Sequence, residues 1–214
     1  RKFSCAMERL VTVILLLLLL TSACEKGTGS FVIKGTITDN TFPGGLAGAE
    51  LKFYKVPIGT SEEILIDVIT VPSDGAYEFK VPRDKIERYI VRVFKTNYFP
   101  IEKDIYYSEL SIKEPKVLNM NTDAMAWVKI HFKNNNPSNL DHFRYIKQEG
   151  LTGCPTCCPS IAQDFYGPLD TTFYCVNKGN TNYSILYWEL DTPNNGSKSA
   201  FTVPFDTAQI EVLY

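Results

Sequence analysis

From Phe31 to Tyr214 the chain is a succession of short runs in which apolar and polar residues alternate, separated by clusters of Gly, Pro, Asn and Asp. Alternation with a period of two places one face of a strand in a core and the other in solvent. In FVIKGTITD, Phe31, Ile33 and Ile37 share one face, with Lys34, Thr36 and Thr38 on the other. AELKFYKV, EILIDVITV, AYEFKV, RYIVRVFKT and KVLNM continue the series up to Asn121, with Tyr77 and Phe79 on one face of AYEFKV and Ile90 and Val91 near the start of RYIVRVFKT. A second series opens with AMAWVKIHFKN. There Ala126, Val128, Ile130 and Phe132 alternate against Trp127, Lys129, His131 and Lys133. FRYIKQ, TTFYCVNK, NYSILYWEL, SAFTVPF and AQIEVLY follow, and PNNGS reads as a hairpin turn built on Asn195-Gly196. Helical periodicity is almost absent. The pattern therefore predicts an all-β protein with two β-sandwich domains, at residues 31–121 and 124–214.

One stretch departs from this pattern. After Met7 and Arg9 an apolar run extends from Leu10 to Leu20, too short for a membrane-spanning helix of about 20 residues and suited to the core of an export signal. Leu20-Thr21-Ser22-Ala23-Cys24 resembles the cleavage box of bacterial lipoprotein signals, with Thr21 standing where that signal usually carries leucine. The resemblance implies removal of residues 1–23, lipidation of Cys24, and residues 24–30 as a polar tether. It also implies an exported protein anchored by lipid in a bacterial envelope, at the outer membrane. Without residues 1–23, Lys and Arg fall from 22 to 19 and Asp and Glu from 24 to 23, a net charge of −4. With no basic run either, a nucleic-acid partner is excluded.

The first series also resembles a known family. Gly35 to Asp39, Gly45 to Leu51, Asp74 to Phe79 and Asn97-Tyr98 stand in the order of the motifs of carboxypeptidase regulatory-like, transthyretin-type β-sandwiches. That resemblance implies an accessory domain without an active site. Gly48-Ala49 is read as a tight turn into a strand, and Asp74-Gly75 as a hairpin turn in which glycine takes a positive φ. Asp39 and Asp74, as turn carboxylates, are read as local caps in preference to calcium ligands. The second series reads as an immunoglobulin-like sandwich. Through WVKIHFKN and the terminal F-D-T-x-x-I pattern, the whole resembles bacterial surface lipoproteins in which a regulatory-like domain precedes a second β-domain.

Of the six cysteines, Cys154, Cys157, Cys158 and Cys175 lie in the second series, three of them within GCPTCCP. In an exported chain an even number of cysteines reads as disulfides. Bonding Cys157 to its neighbour Cys158 is disfavoured by ring strain. The reading favours Cys175 bonded to Cys157 or Cys158, with the other two closing a small ring. A zinc site of CxxC, Cys175 and His131 or His142 lacks a second paired knuckle, and CPTC as a redox motif lacks its strand–helix context.

No catalytic fingerprint occurs, and the two histidines, His131 and His142, have no partners in a recognised motif. The expectation is a non-catalytic protein without cofactor or metal, acting as a binding or scaffolding module. Its partner would be another envelope protein or, alternatively, a glycan of a nutrient-uptake system; an unrecognised hydrolase or a metal or redox protein is the remaining alternative. The aromatic richness of the second series places the binding surface at Tyr166, Tyr183 and Trp188. Asp206-Thr207-Ala208 also resembles an O-glycosylation acceptor of some Gram-negative envelopes.

Overall fold

The computed structural model describes residues 29–190 and 192–214; the segment expected as an export signal and Cys24, expected as the lipidation site, lie outside the described residues. The fold is all-β, built from two β-sandwiches in series. The one helical turn among the described residues is the 3₁₀ segment Tyr107–Glu109.

In the first sandwich, β1 (Ser30–Asp39), β2 (Glu50–Pro57), β3 (Ile64–Thr70), β4 (Ala76–Pro82), β5 (Ile86–Phe94) and β6 (Ile101–Tyr106) follow in chain order. One sheet has the order β3-β2-β5-β6. In the other, β1 lies between β4 and the short parallel strands β7 (Lys116–Val117) and β8 (Met120–Thr122). Between the sheets, Phe53 stacks on Phe79 at 4.4 Å and on Tyr89 at 5.0 Å, surrounded by buried Ile33, Ile37, Leu51, Val91 and Ile105. Stacked aromatics of this kind add to the gain from area burial.

KVLNM, expected as one strand, divides into β7 and β8. At the break, the Asn119 side chain accepts the Thr36 N–H at 3.0 Å. The close approach of Leu118 needs Gly35, since a Cβ there would lie 2.1 Å from the Leu118 carbonyl oxygen. Asp74-Gly75 also differs from expectation. Gly75 does have a φ of 76°, and the Asp74 carboxylate accepts the Ala76 N–H at 3.0 Å, but the turn carries the chain from one sheet to the other and joins no hydrogen-bonded pair.

The second sandwich packs four strands against three. β9 (Met125–Lys133), β10 (His142–Glu149), β11 (Gln163–Tyr166), β12 (Asp170–Lys178), β13 (Thr181–Glu189), β14 (Asn195–Thr202) and β15 (Thr207–Leu213) form sheets of order β11-β10-β13-β14 and β12-β9-β15. Phe132 centres this core, within 4.8–4.9 Å of the rings of Tyr145 and Phe143. Asn195-Gly196, expected as the hairpin turn, already belongs to β14: Trp188 pairs with Asn195, and the Glu189 N–H donates to the Asn194 carbonyl. The glycine instead makes room for a ring, because a Cβ on Gly196 would lie 2.8 Å from the Tyr187 hydroxyl.

The two sandwiches meet in a bonded junction. Asp39 accepts the Tyr98 hydroxyl at 2.6 Å with one carboxylate oxygen, and the Thr41 and Phe42 N–H groups at 2.8 and 3.0 Å with the other. Thr41 accepts the Ala124 N–H at 2.8 Å, Ala124 bridges to Tyr98, and Phe205 of the second sandwich packs on both Phe42 and Tyr98. Lys178 reaches back to Asp123 at 2.8 Å. Asp39 is thus fully engaged as a junction acceptor. Replacing it with alanine leaves the Tyr98 hydroxyl and two N–H groups without their partner. The expected loss is about 2 kcal/mol of stability by urea denaturation, with a smaller loss for Asp39→Asn.

Candidate functional site

Alternation along β10 turns Phe143, Tyr145 and Lys147 inward and His142, Arg144 and Ile146 outward. On the outward face, pairing brings His142 opposite Tyr166, and Arg144 between Asp164 on β11 and Trp188 on β13. Tyr166 is 73% exposed and stacks on the His142 ring at 4.2 Å, leaving its other side to solvent. Asp164 lies at the centre of the group. It accepts from His142 Nε2 at 2.6 Å and from Arg144 Nε and Nη2 at 2.8 and 3.1 Å. The Arg144 guanidinium, and then His142, holds the Asp164 carboxyl below its ordinary pKa. The face is therefore an exposed aromatic ring fixed by a charge-assisted network, with half-buried Trp188 beside it. Strand spacing puts the Tyr166 and Trp188 Cα atoms roughly 12 Å apart.

Tyr183, expected on this surface, lies elsewhere. It is fully buried, because it sits on the inward parity of β13 and pairs with Ala200 across to β14. Burial pushes its hydroxyl pKa up.

The GCPTCCP segment lies in the β10–β11 connection. Its cysteines are paired as Cys154–Cys157 and Cys158–Cys175, with Cα separations of 5.4 and 5.3 Å. The second bond ties the loop to β12 beneath it, where the Val176 N–H also donates to the Thr156 carbonyl at 2.8 Å. Two buried polar side chains complete the attachment. Lys147, only 5% exposed, donates from Nζ to the carbonyls of Leu151, Cys157 and Cys158, at 2.5, 2.9 and 2.7 Å. The Asn177 side chain accepts the Leu151 N–H at 2.8 Å and donates to Thr202 Oγ1 at 3.2 Å. Cys158 has a φ of 57°, a left-handed conformation that these attachments hold in place.

The set weighed as zinc ligands is thus dispersed. All four cysteines are in disulfides, His142 belongs to the Tyr166 face, and His131 lies on the outer face of the other sheet. There His131 joins three strands, with Asp170 of β12 at 2.9 Å from Nε2 and Glu211 of β15 at 3.2 Å from Nδ1. The CPTC segment has no helix, being a turn and bend in an irregular loop.

Arg144, Asp164, Lys147 and Asn177 were not singled out from the sequence. For Lys147 a signal was present: the alternation of Phe143, Tyr145 and Lys147 puts an ammonium on the inward face of FRYIKQ. Asp164 gave none, since β11 is only four residues long.

No family model matches the chain, and no curated protein matches it. Among solved structures it resembles the Bacillus anthracis TIE protein at 12% identity and a TM-score of 0.35, over 86% of this chain and 34% of that one. The chain thus spans about a third of that protein's length. It also resembles the shaft pilin SpaA from Lactobacillus rhamnosus GG, with 10% identity, a TM-score of 0.34, and 87% and 97% of the two chains covered. A DUF3823 family protein from Parabacteroides merdae matches at 9% identity with a TM-score of 0.33, covering 82% of this chain and 99% of that one. Likeness at this level says nothing about function.

Two predictions follow the geometry of this domain. Lys147→Met keeps the apolar stem but leaves three carbonyls without their shared donor. It should cost about 3 kcal/mol in denaturant unfolding, with faster amide exchange along residues 151–158. The His131 pair should show a defined pH window. Hydrogen bonding to Asp170, and then to Glu211, raises the imidazole pKa above 6.5, and His131 lowers that of Asp170 below 3.8. The histidine contribution is present in full below its unfolded pKa and is lost as pH rises through the folded value. The aspartate contribution is lost as pH falls through its own folded value. Imidazole NMR titration should give the raised value. In His131→Gln, thermal stability should lose its decline across the upper limb, with the difference from wild type vanishing at alkaline pH.

Proposed function

We propose that this is a non-catalytic, exported module, held to a bacterial envelope membrane through lipidated Cys24, that binds another envelope protein through the outer face of β11-β10-β13-β14. The observation carrying this reading is the Tyr166–His142–Asp164–Arg144 network. An exposed tyrosine is costly to fix and has no packing role in its own core, yet here its ring is held by a stack and its stacking partner by a charge-assisted hydrogen bond. A rigid aromatic presented in this way loses little conformational entropy on binding, as interface anchors do. The carboxylate, the guanidinium and the imidazole of the group are engaged with one another, which suits recognition better than proton transfer. The rigid cysteine loop borders the same sheet and would extend the surface.

A second reading, a glycan ligand, is favoured by one feature: Tyr166 and Trp188 lie on the same face, and one side of the Tyr166 ring is free to stack on a sugar.

The test places a photo-crosslinking amino acid at residue 166, and separately at 188, in protein expressed with its own signal. Crosslinking to one discrete envelope protein, weakened at least about tenfold by His142→Ala or Asp164→Ala, is the expected result. Crosslinks to polysaccharide alone would replace the protein partner by the glycan. Absence of crosslinks at both positions would overturn the assignment of this face.

A further inference from the structure

Open sheet edges in folded proteins are ordinarily guarded by charge, proline or shortness, because their unpaired N–H and C=O groups can accept another strand. Most edges here follow that rule. Glu78 and Lys80 stand on β4, Glu102, Lys103 and Asp104 on β6, and Lys198 on β14, while β11 has four residues. β3 is different. It is an edge strand of seven residues, ILIDVIT, with Leu65 49%, Ile66 38% and Val68 43% exposed and neither lysine nor proline within it. Its guards are a bulge, where Ile66 is the extra residue between the pairs Phe53–Asp67 and Tyr54–Leu65, and one carboxylate. Asp67 accepts the N–H of its own neighbour Val68 at 2.8 Å, so that N–H is turned away from β2 toward the open edge.

We propose that β3 is a docking edge at which an extended segment of another protein, apolar with basic residues interspersed, adds as a further strand. The backbone groups of β3 would supply the pairing, as in other cases of strand addition. Side chains define the chemistry of the occupant. Leu65 and Val68 lie on the face of Tyr54 and Lys52 and call for apolar partners, while Asp67, opposite Phe53, calls for a cation. A basic residue facing Asp67 would draw its carboxylate off the Val68 N–H and release that donor for pairing. The same charges disfavour a second copy of this chain. Residues 62–70 hold Glu62, Glu63 and Asp67 and no Lys or Arg, and among the described residues only Glu63 has a cation of its own, in Arg92. Antiparallel pairing of two β3 strands would bring acidic segments together.

The disulfide-bonded chain, mixed with a synthetic peptide of about ten residues alternating valine and lysine, is followed by amide hydrogen exchange. The expected result is at least about tenfold slower exchange at Val68 and Thr70, and none of this with the valine–glutamate peptide. Val68→Lys, on the outer face, should abolish the protection while its circular dichroism and melting temperature stay those of the parent. A second variant, Leu65→Lys, should act in the same way. Protection by both peptides alike, protection confined to other strands, or none would overturn the proposal. Protection of β3 that grows with protein concentration in the absence of peptide would also overturn it, by making a second copy the occupant.

Discussion

A buried ammonium with no carboxylate beside it among the described residues anchors the second sandwich. Moving such a charge out of water is costly, and the cost is offset only where strong hydrogen bonds surround the group. Lys147 obtains three, all from carbonyls of the β10–β11 connection, so the inward face of β10 and the cysteine loop specify each other. A disulfide alone would restrict the loop at one point. The Cys158–Cys175 bond fixes its distance from β12, Lys147 fixes where its carbonyls converge, and Asn177 fixes its entry at Leu151. Because that loop leads directly into β11, the same interactions also set the register at which Asp164 meets Arg144 and Tyr166 meets His142. The surface group therefore depends on a core lysine it never touches.

The junction between the sandwiches uses a comparable device. Asp39 gathers one hydroxyl and two N–H groups, and the linker after β8 has little freedom, since Ala124 and Met125 are hydrogen-bonded to Thr41 and Asn97 of the first sandwich. Phe205 then covers the polar centre with an aromatic contact on each side of Tyr98 and Phe42. Two cores that could have been joined by a loose tether are joined by a short, bonded seam.

Much of this was legible in the residue pattern, for a simple reason. Period-two alternation reports burial, and the inward sets of FVIKGTITD, AYEFKV and AMAWVKIHFKN occupy the two cores. What escaped falls into two kinds. Strands with polar or very short sequences, IEKDIY at β6 and QDFY at β11, carry no alternation, because an edge strand or a four-residue strand buries too little to need it. Long-range polar partners escaped as well. Asp39 meets Tyr98 across 59 residues, and Lys147 meets carbonyls whose position depends on disulfides elsewhere. Tyr183 shows the converse, since aromatic content points to the surface where strand parity puts the ring inside. Tyr187-Trp188 illustrates the limit of parity itself, as both residues are half-buried on opposite faces of β13.

The outer faces follow a rule that aromatic content alone does not reveal. On the three-stranded sheet, His131 links Asp170 and Glu211 from the strands on either side; on the four-stranded sheet, Asp164 links His142 and Arg144. In the first sandwich, Arg92 joins Glu63 and Glu102 and lies 5.0 Å from the Tyr54 ring, next to Ile90, which is buried on that outward face. Exposed ion pairs singly contribute little to stability, but in each of these one central group is shared by two partners and at least one contact crosses to a neighbouring strand. Such sharing fixes side-chain direction more than it adds free energy. Where it surrounds an aromatic ring, as at Tyr166, the effect is a surface with a defined shape before any partner arrives. β3 has only the Arg92–Glu63 contact at its upstream margin, and its apolar side chains are left without such a cover. The distribution of fixed charge thus separates a face that presents a shape from an edge that presents backbone.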